Sequence, residues 1–207
     1  MTAPSPNPDR PRPSSSAADG ESAPAPAVRL VAGTFAIGDL DDFLDDLDEI
    51  AAETGAVVQA FDADLVVSGT QLREAARLAA RAIARGEAVA RDPGVEILLY
   101  AAGSRQIDRA LELGVAEGER DAVVVVADFG DVRGADRPTA DLDRAVEAVR
   151  GLAVDSSELP EANALSTAFD EDRVREFYGV TDRELVATNG GLPDAVRERV
   201  ALLDVSK

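Results

Sequence analysis

Two sets of residues in this chain have types and spacings that point to chemistry. One is the carboxylate pair Asp62 and Asp64; the other is a series of four arginines, Arg73, Arg77, Arg81 and Arg85. Paired carboxylates hold Mg²⁺ or act as acid and base when a third ligand or an activated partner stands beside them. Arginines four apart on a helix share one side, spread over about a third of the circumference and about 6 Å apart along the axis. That is close to the separation of successive phosphates on a single nucleic-acid strand. A third stretch, DPGVEILLYAAGSRQIDRALELGV, reads as a buried strand from Val95 to Ala101, a small-residue turn, and a helix from Arg105 to Leu113 stopped by Gly114. Strand, turn and helix in that order form a phosphate cradle, where backbone N–H groups and the helix dipole hold an anion.

Each signal has to survive what the rest of the chain supplies. Histidine and cysteine are both absent, which removes Ser-His and Cys-His catalysis, thiolate nucleophiles, disulfides and the usual zinc sites. The turn Tyr100-Ala101-Ala102-Gly103-Ser104-Arg105-Gln106 has one glycine and no lysine. It matches neither the Gly-x-Gly-x-x-Gly dinucleotide motif nor a P-loop. Asp62 and Asp64 lack a third ligand in sequence. No catalytic residue, metal or cofactor is therefore predicted, and a Mg²⁺-dependent carboxylate enzyme stands as the alternative.

The 207 residues carry a formal charge of −19, and all 21 basic residues are arginine except Lys207. With 45% hydrophobic residues the chain is not an acidic disordered protein. An acidic, arginine-for-lysine, Ala- and Val-rich surface suits a salt-rich cytoplasm, where charges are screened within about 3 Å at 1 M. Net charge then reports the solvent and excludes no partner. No apolar run approaches the ~18 residues of a membrane span, and no secretory signal opens the chain, so a cytoplasmic protein is expected. Against this background Gln71 to Arg91 is an exception, with five arginines and two glutamates, a local +3. Arg105 and Gln106 follow nearby. This basic face predicts an anionic partner.

The elements that must position these residues begin after a tail, residues 1–27, that holds seven of the eleven prolines and is expected to be disordered. Residues 28–205 form the predicted domain. Val28–Thr34, Val57–Phe61, Val95–Ala101 and Ala122–Ala127 read as strands. Asp39 caps a helix with Leu40, Phe43, Leu44, Leu47 and Ile50 on one side and a dense carboxylate face on the other. Gln71–Val89 and Thr139–Arg150 are further helices. Thr181 and Glu184 form a capping box, Asn189-Gly190-Gly191 ends that helix, and Pro193 opens the last one. Strands and helices do not alternate as in a doubly wound sheet. The prediction is a single α+β domain, a small, mostly antiparallel sheet packed with several helices.

The runs GVEILLYAAGSRQIDRALELGV, VVQAFDADLVVS and VRERVALLDV, in their order along the chain, resemble the small subunit of the KEOPS complex, the PRPK-binding protein (TPRKB) family, in its archaeal form. The resemblance extends from about Val28 to Val205. It implies a non-catalytic subunit that binds the kinase-like ATPase subunit of KEOPS and helps recruit tRNA by its acceptor end. The complex, through a separate threonylcarbamoyltransferase subunit, modifies the adenosine beside the anticodon. On this reading Arg73, Arg77, Arg81, Arg85, Arg91, Arg105 and Gln106 are the candidate tRNA-binding residues. Val200, Leu202 and Leu203, which give the last helix more apolar residues than one buried stripe needs, are the candidate partner-binding residues. A protein-interaction module whose arginines meet an acidic partner, without RNA, is the further alternative.

Overall fold

Ala122–Ala127 is apolar at six successive positions, a pattern that a strand covered on both faces buries. The computed structural model, which describes residues 25–159, 169–187 and 191–205, places this run at the centre of a sheet. Four strands, β1 (Ala27–Ile37), β2 (Val57–Asp62), β3 (Gly118–Asp128) and β4 (Ala153–Glu158), lie in the order β2-β3-β1-β4. All three pairings are antiparallel. The longest runs from Ala27 opposite Asp128 to Ile37 opposite Gly118.

Because side chains alternate along a strand, this register sorts the core into two layers. Leu30, Ala32, Val123, Val125 and Ala127 face one cluster, which includes residues of α2 (Gly69–Arg85), α3 (Pro93–Ala101), α6 (Glu171–Tyr178) and α8 (Gly191–Val205). Val31, Phe35, Ile37, Val124 and Val126 face the other, built on α1 (Leu40–Thr54) and α5 (Leu142–Leu152). Two short helices, α4 (Ile107–Leu111) and α7 (Asp182–Ala187), bring the total to eight among the described residues. The α+β class and the antiparallel sheet are as the sequence predicts. None of the described helices is long and apolar enough to cross a membrane.

The predicted strand Val95–Ala101 is a helix. Asp92 caps α3, accepting from the Val95 N–H at 3.0 Å, and Pro93 occupies its first turn. Ile97, Leu98, Leu99, Tyr100 and Ala101 are all buried, so the helix is apolar almost all round and shows no amphipathic period. The phosphate cradle therefore loses its strand. Residues 102–106 instead form a turn between two helices, held by the Gln106 N–H on Ser104 Oγ at 3.1 Å.

Other boundaries move for local reasons. Helix α2 stops at Arg85 rather than Val89 because Gly86 adopts φ +70°, the left-handed conformation that closes a helix. Beyond it, Glu96, 2% exposed, accepts the N–H groups of Val89 (3.0 Å) and Ala90 (2.8 Å) and so shapes the loop carrying Arg91. Strand β4 is absent from the prediction because it is short, polar and half exposed. It approaches β1 so closely at Gly33 that a Cβ there would lie 2.3 Å from the Asp155 carbonyl oxygen. The capping box is present, with Thr181 N–H on Glu184 Oε2 at 2.8 Å and Glu184 N–H on Thr181 Oγ1 at 3.3 Å. The tail to residue 24 and Asn189-Gly190 lie outside the described residues.

One buried polar network joins three helices on the α2 side of the sheet. Gln71, fully buried, accepts the Val67 N–H at 3.0 Å and donates to Ala101 O (3.2 Å) and Tyr178 Oη (2.6 Å). Tyr178 Oη–H in turn donates to Ala101 O at 3.0 Å. Removing that hydroxyl strips one partner from a buried amide and one from a buried carbonyl. Tyr178→Phe is expected to lower stability by about 1–3 kcal/mol with an unchanged slope in urea unfolding.

Candidate functional site

An aspartate in the last turn of a helix sits at the negative end of the helix dipole, where it is disfavoured unless cations surround it. Asp204 of α8 is such a residue, with a side chain only 7% exposed. The cations are the arginines of α2. Arg81 Nη2 and Arg85 Nη2 (2.8 Å) both donate to its carboxylate, and the Tyr100 hydroxyl lies 3.3 Å from Oδ1. Arg105 Nη2 reaches the adjacent Leu203 carbonyl at 3.3 Å. Burial and the neighbouring Asp204 push the Tyr100 hydroxyl up to about 12, so it stays protonated.

The arginine stripe is thus not a face turned wholly to solvent, as helical spacing alone suggested; α8 packs along it. Arg77 makes a two-pronged pair with Glu74, Nε to Oε2 at 2.9 Å and Nη2 to Oε1 at 2.6 Å, which holds the Glu74 carboxyl below its usual range. Arg77, Arg81 and Arg85 keep 41%, 38% and 37% of their side chains exposed. Arg73 departs from the group. Its guanidinium lies beside Gly69 and donates to the Leu159 carbonyl at 3.4 Å, toward the end of β4.

Arg91 is exposed and makes no hydrogen bond or ion pair with a described residue. Arg105 and Gln106 are exposed in the α3–α4 turn, and the Gln106 side chain makes no cap bond to α4. The structure therefore brings Arg81, Arg85 and Arg105 together around the end of α8, with Arg77 one turn away along α2. Arg73 is separated from this group by its inward turn. Asp204 and Tyr100, absent from the sequence candidates, organise the site. The signal for Asp204 was its place, an acidic residue closing the apolar run Ala201-Leu202-Leu203.

The three apolar candidates on α8 divide by burial. Val200 is fully buried and belongs to the core, so it is not a docking residue: its position turns inward with Val196. Leu203 is half-buried against the same cluster. Leu202 is 57% exposed. Ile107 and Leu111, one turn apart on α4, are also exposed, and the contact of Arg105 with Leu203 sets the start of α4 beside the end of α8. An apolar surface flanking a charged one is the common composition of a protein-docking site.

Asp62 and Asp64 face the same cation. Arg173 of α6 donates to Asp62 Oδ2 and Asp64 Oδ2, both at 2.7 Å, while Asp62 Oδ1 accepts the Asp64 N–H at 3.0 Å. The pair fastens α6 to the 3₁₀ turn Ala63–Leu65 after β2. Among the described residues no group of three or more acidic side chains is placed to hold a metal ion.

A family model of the kinase binding protein CGI-121 matches residues 43–204, from the first turn of α1 to the last turn of α8. The chain belongs to the CGI-121 family. That family is one of kinase-binding proteins, and it is the family of the PRPK-binding protein that the motifs resemble. No curated protein matches the chain. The CGI-121 match spans the exposed apolar residues of α4 and α8 and every arginine discussed above.

Proposed function

We propose that this protein is the non-catalytic small subunit of a KEOPS-type complex. It docks on the kinase-like ATPase subunit and recruits tRNA by its acceptor end for threonylcarbamoyladenosine modification, the transferase subunit being a separate chain. Family membership supports the kinase partner. One observation supports the RNA role: Arg77, Arg81, Arg85 and Arg105 are gathered beside the end of α8 in a protein of net charge −19. Arginine binds phosphate through a planar fork and stacks on bases, an advantage where salt weakens counterion release. Single-stranded ends expose the base faces for that contact.

Filter binding to tRNA with and without its CCA end tests the RNA reading. Intact tRNA should bind, trimming should weaken it, and charge reversal at Arg77 and Arg81 should weaken it by at least about tenfold, through lost phosphate contacts. Lysine at both positions should restore only part, because charge returns without the fork. Binding indifferent to the CCA end and to both arginines would leave the interaction-module reading. ATP hydrolysis lost in Asp62→Asn, with circular dichroism unchanged, would favour the carboxylate enzyme.

A further inference from the structure

The arginine seat is filled by an anion of the protein's own. Two guanidinium groups from α2 and one phenol from α3 converge on the Asp204 carboxylate, an arrangement that would hold a phosphate equally well. On this face Arg77, Arg81 and Arg85 are matched one for one by Glu74, Glu87 and Asp204, so these three arginines are locally neutralised, while Gln71–Arg91, +3 with its own two glutamates, falls to +2 once Asp204 is added. A phosphate approaching Arg81 and Arg85 meets a carboxylate already in place.

We propose that Asp204 stands in for a nucleic-acid phosphate, and that the last turn of α8 is a latch that leaves the Arg81–Arg85 seat when RNA enters it. This rests on the reading of the arginine face as an RNA surface. The anchors of α8 are Leu192, Ala195, Val196 and Val200, all buried. Beyond Val200, Ala201 and Leu202 are exposed and Leu203 is half-buried. The final turn is held by Asp204, by the Arg105 contact to Leu203 O and by Leu203 at the edge of the core, and it can move while the four buried anchors stay in place. Its departure exchanges one charge-assisted contact for another, so the latch adjusts RNA affinity rather than forbidding binding. A tethered carboxylate competes at millimolar effective concentration. If the seat is open about a tenth of the time, apparent affinity falls about tenfold.

The test is tRNA binding by the full chain carrying Asp204→Asn, which keeps the shape and removes the charge, beside Asp204→Glu, which keeps the charge. Asparagine should tighten binding about tenfold and steepen the salt dependence, since Arg81 and Arg85 then release solution anions rather than Asp204 when they meet phosphate; glutamate should stay near wild type. A wild type that binds tRNA through Arg77 and Arg81, yet is unchanged or weakened by Asp204→Asn, would overturn the latch and leave the RNA surface standing. Binding insensitive to charge reversal at Arg77 and Arg81 would remove both. Hydrogen exchange on the wild-type protein gives an answer independent of the variants' folding. Amides 201–205 should exchange faster when tRNA saturates the protein, and slower or unchanged exchange there rejects the latch.

Discussion

Leu202→Asp is expected to abolish co-purification with the kinase-like partner while the melting temperature moves by no more than about 2 °C. Val200→Asp, two positions away, should unfold the protein. The helix explains the contrast. Val200 is fully buried among the residues that hold α8 against α2, α3 and α6, and Leu202 is 57% exposed. A carboxylate forced into the Val200 site without a partner costs more than about 4 kcal/mol, much of the 5–15 kcal/mol that holds a typical domain together. At Leu202, more than half exposed, the folded state loses little buried surface, and surface changes of this kind stay within about 0.5 kcal/mol. At an interface, though, an apolar anchor turned into a charge must be desolvated against the partner, and anchors carry most of the binding energy. Deleting Leu192–Lys207 would not separate these effects, because Leu192, Ala195 and Val196 are core residues as well. Pulldown of Leu202→Asp at wild-type yield would move the docking surface off α8. Ile107→Asp on α4 would then be the next variant to measure.

What the sequence revealed, and what it hid, follows from which patterns are local. Helices α1 and α2 announce themselves because one side of each is buried and the other charged, so the helical period is written in residue type. The Thr181–Glu184 box is local too, a side chain meeting a backbone group three residues away. Helix α3 reads as a strand in sequence because its burial on nearly every side erases the period. The residues that gave it away, Asp92 and Pro93, lie at its start rather than in its apolar run. The four arginines of α2 were legible as a stripe, but what faces them was not. Asp204 is 123 residues from Arg81, and only the fold brings the two into contact. In the same way, Asp62 and Asp64 looked like a ligand pair until Arg173, 109 residues beyond Asp64, closed on both. Val200 and Leu202 differ in role because of a helical phase that a run of apolar residues conceals.

Salt should change the stability of this protein more than any single surface substitution does. Between about 0.1 M and about 2 M KCl the melting temperature is expected to rise by at least about 10 °C, as screening shortens from about 10 Å to under 3 Å and the repulsion within a −19 chain fades. Helix α1 shows where that repulsion is concentrated. Asp41, Asp42, Asp45, Asp46, Asp48 and Glu49 are all exposed, and none is in an ion pair with a described residue. Asp41 and Asp42 in the first turn are favoured by the helix dipole; Asp45, Asp46 and Glu49 lie beyond its reach. Their like-charge neighbours at three and four residues, Asp41–Asp45, Asp42–Asp46 and Asp45–Glu49 among them, each cost about 0.2–0.5 kcal/mol at low salt. Asp45→Asn, Asp46→Asn and Glu49→Gln together relieve them. At low salt the triple variant should melt roughly 3–8 °C above wild type, at about 2–4 °C per kcal/mol for a chain of this size. The two melting curves should converge as KCl is added, because salt removes the same repulsion that the substitutions do. Chloride avoids the general strengthening of apolar burial that sulfate brings, and an osmotically matched sucrose series isolates the ionic part. Parallel salt curves for the two proteins would mean that the charge of α1 is not what salt relieves.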